Sequence, residues 1–132
     1  SDEGENITTG FYYAPSVIIP HFARTISSQS IFSLQALSDT VFAKIPVQVF
    51  DDLRYRYKDI GEFGRVVVER ELSRKILDET VFRSCTAKQR LIQMRDRYPN
   101  LENLVPHHII ASFLGVTPVS FSRLRNEIAS AG

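Results

Sequence analysis

The chain is 132 residues long, 43% hydrophobic and 23% charged, with a formal net charge of +1. That composition fits an ordinary soluble globular protein: nothing in it points to disorder, and the small net charge argues against a strongly basic nucleic-acid coat. Its apolar runs, such as Ser16-Val-Ile-Ile-Pro20 and Val66-Val-Val68, are far too short to span a bilayer and no apolar leader opens it, so a cytoplasmic location without a membrane partner is expected.

Residues 1–13 begin with a polar, acidic stretch and continue as Asn6-Ile-Thr-Thr-Gly-Phe-Tyr-Tyr13, whose β-branched and aromatic content favours a strand. After Pro15 and Pro20 come two more strand candidates, Ile31–Leu37 and Val41–Ile45, divided by the turn-like Ser38-Asp39. From Pro46 the period changes. Val47, Phe50, Leu53 and Tyr57 fit a short helix, and Ile60 to about Phe82 fits a long one rich in Glu, Arg, Lys and Leu. The long helix carries two apolar stripes, Ile60-Phe63-Val67 with Leu77 and Val81, and Val68-Leu72-Ile76. Either one broad buried face in a monomer or a pairing seam for a second chain is compatible with that spacing.

Cys85 is the only cysteine, which leaves no internal disulfide or cysteine-rich metal site, and it reads as a structural thiol. The only methionine is Met94, so the sequence is expected to be processed or an excerpt of a longer one. Thr86 fits the N-cap of a further helix, Ala87 to Arg97, which Pro99 ends.

The stretch from Pro106 to Asn126 has the spacing of a helix-turn-helix. Ile110, Ala111 and Leu114 share one face of a first helix, Gly115 permits a left-handed turn, and Val116 fills the corner. Phe121 and Leu124 face back from a second helix, which Thr117 caps and Pro118 opens. Ser120 stands where a reciprocal capping box would need Glu or Gln, so that amide is expected to be open to a phosphate oxygen. Charge follows the same division: residues 86–132 carry six cations against three anions, whereas residues 1–85 carry ten against twelve.

The segments Ala87-Lys-Gln-Arg90, Arg97-Tyr-Pro-Asn-Leu101, Val105-Pro106, Ile110-Ala-Ser-Phe-Leu-Gly-Val-Thr-Pro118 and Phe121-Ser-Arg-Leu-Arg125 closely resemble the C-terminal domain of Crp/Fnr-type transcription regulators. Upstream, Phe32-Ser-Leu-Gln-Ala-Leu-Ser-Asp-Thr40 looks like a late strand of that family's cyclic-nucleotide-binding-type barrel. The resemblance implies an α+β chain: a partial β-barrel or jelly-roll over residues 1–58, a long dimerisation helix over 59–85, and an all-α, winged-helix-like DNA-binding domain over 86–132. The N-terminal part of the barrel is then missing, since a closed barrel needs about eight strands. The implied partners are double-stranded DNA, a second copy of the chain through Ile60, Phe63, Val67, Leu77 and Val81, and RNA polymerase.

If the second helix enters a major groove, its buried residues turn Val119, Ser120, Arg123 and Asn126 outward, with Ser122 on the flank. Arg123 matches the family's base-reading arginine and can take both acceptors of a guanine edge. Thr117, Ser122, His107 and His108 are candidate phosphate contacts, with Lys88 and Arg90 on the preceding helix. No cofactor is expected. Nucleotide-binding members need a Gly-Glu pair followed by Arg-Ser/Thr-Ala, but residues 11–38 contain no Gly, Asp or Glu and Arg24-Thr25 precedes Ile26. An enzyme is not expected either, for no nucleophile-base set, phosphate loop or metal cluster stands out. The competing class is an interaction module whose helix-turn-helix binds protein.

Overall fold

The computed structural model describes residues 6–18 and 32–131. Over these residues the regular structure is helical: α1 Val47–Arg56, α2 Lys58–Ser84, α3 Ala87–Arg97, α4 Leu101–Leu104, α5 His107–Leu114 and α6 Pro118–Ser130. Two compact units emerge, Tyr13–Leu77 and, discontinuous in sequence, Ser1–Tyr12 with Asp78–Gly132.

The expected α+β class with a partial barrel or jelly-roll is not what forms: no strand occurs among the described residues. The described part of the Ile31–Leu37 candidate and all of Val41–Ile45 lack a ladder, and Leu34, Val41 and Phe42 stand 62, 99 and 61% exposed. The physical reason lies in what the alternation of Phe32, Leu34 and Ala36 with Ser33 and Gln35 encodes. It makes one face suitable for burial, but a strand also needs a neighbour's N–H and C=O groups. Segment 6–12 likewise turns to a helix: the Thr8 amide donates to Ser112 Oγ of α5 at 3.0 Å.

In the Tyr13–Leu77 unit, α1 crosses the start of α2 where glycine removes the side chain. A Cβ on buried Gly64 would come within 3.1 Å of Arg54 Nε and 3.3 Å of the Phe50 ring. Farther along α2, buried Glu71 accepts from Arg74 Nε at 3.1 Å. Of the expected pairing residues, Ile60, Val67 and Val81 are half-buried while Phe63 and Leu77 are exposed; Val68, Leu72 and Ile76 are exposed as a second ridge.

The other unit has the compact apolar core. Leu91 and Met94 of α3, Tyr98, Leu101, Val105, Ile110, Ala111 and Leu114 of α5, and Phe121 of α6 are buried together. Ile109, Phe113, Val116, Leu124 and Ile128 pack on that cluster, as does Phe11, whose ring lies edge-on to Tyr98 and Phe113 at 5.7 and 5.1 Å. Helix α3 has a chemical boundary at each end. Thr86 and Gln89 form a reciprocal capping box at the start of α3, and Pro99 removes the amide that another turn would need.

Candidate nucleic-acid interface

Helix α5 ends on Gly115 at φ 67°, ψ 37°. The Val116 amide donates to Ala111 O at 3.0 Å and the Gly115 amide to Ser112 O at 3.1 Å, the paired bonds of a Schellman ending. Glycine is required twice over: an L side chain resists this conformation, and its Cβ would sit 2.7 Å from the Phe82 ring. Val116 packs on the core, and after Thr117 the chain re-enters a helix at Pro118.

At that start, the Ser120 amide donates to Thr117 Oγ1 at 3.2 Å, and the Thr117 hydroxyl donates to Ser120 Oγ at 3.0 Å. Thr117 is thus the N-cap that the sequence predicts, with Pro118 in the first turn. The Ser120 amide, expected to stay open to a phosphate, already has a partner in that hydroxyl. Phe121 is fully buried and Leu124 and Ile128 are half-buried, so the 3.6-residue period turns Val119, Ser122, Arg123 and Asn126 to the exposed side. Ser120 is half-buried.

The cations of residues 86–132 divide by what they touch. Glu102 accepts from Arg95 Nε at 2.6 Å and Nη2 at 3.1 Å and pairs with Arg125 Nε at 2.9 Å. The Arg95 hydrogen bonds, reinforced by both positive charges, hold the Glu102 carboxyl below its ordinary range against the opposing effect of burial. Arg125 also lies 5.7 Å over the Phe121 ring. Arg97 pairs with Asp78. Arg90 donates to main-chain carbonyls of Leu114, Cys85 and Phe82. Lys88 and Arg123 have no ion pair among the described residues; they line one shallow surface cleft with Asn126, Glu127, Ser130 and Ala131.

The structure therefore brings Lys88 of α3 beside Arg123 and Asn126 of α6 and keeps Arg90 in a different role. His107 and His108 are both exposed at the start of α5; His107 stacks edge-on to Phe121 at 5.4 Å and its Nδ1 lies 3.5 Å from Arg125 Nη1. Sequence reasoning missed the Glu102 hub. Its spacing to Arg95 spans a helix end and a turn, so no helical periodicity signals it. Among the described residues no group of three His, Cys, Asp or Glu side chains is placed to hold a metal ion, and no helix is long and apolar enough to cross a membrane.

The Crp/Fnr resemblance does not survive as a family assignment, because its barrel is not formed in the described residues. No family model, curated protein or solved structure matches the chain.

Proposed function

We propose that the chain recognises double-stranded DNA through α5 and α6, with α6 lying in the major groove. The observation that carries this reading is the selective deployment of cations. Arg90, Arg95, Arg97 and Arg125 are engaged by carbonyls or carboxylates, whereas Lys88 and Arg123 line the same cleft as Asn126. Phe121 anchors the opposite side of α6 in the core. Arg123 and Asn126 have the side-chain chemistry to read guanine and adenine edges. Lys88, with Ser122 and the exposed histidines at the flanks, suits phosphate contacts.

A dimer belongs to the same reading, since one helix of 13 residues spans too few base pairs for strong discrimination. Helix α2 offers exposed Phe63 and Leu77 on one side and the Val68-Leu72-Ile76 ridge on the other. Two-fold pairing would set the recognition helices one DNA turn apart, roughly 34 Å.

The test is selection from a random duplex library with the full chain at stated salt, followed by a salt titration of the recovered sequence. A motif of two half-sites and affinity falling steeply with salt, with a slope of about −0.9 per phosphate contacted, is the expected result. Failure to enrich any sequence, with weak salt-independent binding, would leave the helix-turn-helix as a protein-contact module. Sedimentation at micromolar concentration checks the dimer; a monomer both free and on DNA overturns that part.

A further inference from the structure

We infer that Arg90 is a positioning residue for the DNA-reading helix rather than a phosphate contact, an inference that rests on the DNA-binding reading. Its guanidinium sits where two helices end. Nε donates to Leu114 O of α5 at 3.0 Å, while Nη1 donates to Cys85 O at 2.8 Å and Phe82 O at 3.3 Å beyond and within the last turn of α2. Those carbonyls belong to helix endings, which have lost their intrahelical donors and carry the negative end of the helix dipole.

Phe82 completes the clamp. Although 52% exposed, its ring lies 4.9 Å from the Arg90 guanidinium carbon, close against the hydrogen face of Gly115. One side chain therefore ties the final turn of α2 and the start of α3 to the turn between α5 and α6. Arginine is needed because its planar fork serves several carbonyls at once and stacks on a ring; a lysine ammonium is a compact charge on a flexible stem. The turn fixes where α6 begins, with the N-cap Thr117 two residues past Gly115, so loosening it misaims Arg123 while leaving its charge in place.

The full chain, the duplex recovered by selection with the wild type, and a random-sequence duplex of equal length provide the test. Arg90→Lys is expected to weaken binding of the selected duplex roughly tenfold, because a recognition site depends on the shell that aims it. Random-duplex affinity and the salt slope stay near wild type, and hydrogen exchange at the Gly115 and Val116 amides accelerates by about the same factor. Phe82→Leu, which keeps the apolar volume but removes the stacking face, is expected to move the same quantities in the same direction and serves if Arg90→Lys fails to fold.

Equal losses on both duplexes, with a salt slope smaller by about one and unchanged exchange, would assign Arg90 to a phosphate and overturn the proposal. So would wild-type affinity for the selected duplex. If the wild-type chain selects no DNA, the DNA-binding reading fails, and exchange at Gly115 and Val116 separately decides whether Arg90 holds the turn: unaltered exchange overturns the clamp itself.

Discussion

At the scale of single residues, the side chains that build α5, α6 and the turn between them and those that would use the exposed side of α6 are chemically separable. Arg123→Ala removes an exposed cation without touching the core, so its expected effect is a loss of about 1–3 kcal/mol in DNA affinity and relaxed discrimination at one base pair of each half-site. Repeating the selection with the variant checks this, and unchanged specificity contradicts it. Gly115→Ala should act on stability instead. The left-handed backbone costs an L residue roughly 1–2 kcal/mol, and the Phe82 ring must also retreat, so thermal melts should show a lower midpoint in the absence of any DNA. The exposed side of α6 was legible in the sequence because helical periodicity assigns it once Phe121 is known to be buried. The commitment of Arg90 and Arg125 was not, since their acceptors, Leu114 and Glu102, are brought to them only by tertiary packing.

Elements differ in how much of their stability is local. Helix α3 could be read to the residue because Thr86 caps it and Pro99 follows it, and the turn into α6 because Gly115, Thr117 and Pro118 each allow little else. The strand candidates misled for the opposite reason: Phe32, Leu34 and Ala36 alternate correctly, but sheet formation is a property of two segments. Helix α4, four residues inside the Pro99–Pro106 connection, is too short for any period to mark. It nevertheless supplies Glu102, which joins α3 to α6 through Arg95 and Arg125. Glu102→Gln should cost about 1–2 kcal/mol at pH 7, as expected for charge-assisted bonds. Because the folded carboxyl is held below its reference value of 4.5, its contribution is full above that pH and is lost as the pH falls through the lower folded value. Melts of wild type and variant should therefore converge in acid; a difference that persists there would contradict this assignment.

For the molecule as a whole, the division into units does not follow the order of the chain. Asn6–Tyr12 belongs with the helices from Asp78 onward, while Tyr13–Leu77 forms its own unit between them in sequence. Phe11→Ala should lower the stability of the unit that holds α3 to α6 by roughly 1–3 kcal/mol, in proportion to the half-buried ring surface it removes, although the substitution lies far from those helices in sequence. Hydrogen exchange across α3 and α5 would report the loss, and unchanged protection there would show that the segment contributes nothing. The Thr8 to Ser112 bond closes a separation of 104 residues. On the ribosome, Phe11 emerges ahead of Tyr98 and Phe113, and its ring must remain without both until the residues between them have followed. Completion of this core therefore waits on residues far downstream of Phe11, and the segment that carries the ring spends that interval without the partners it has in the fold.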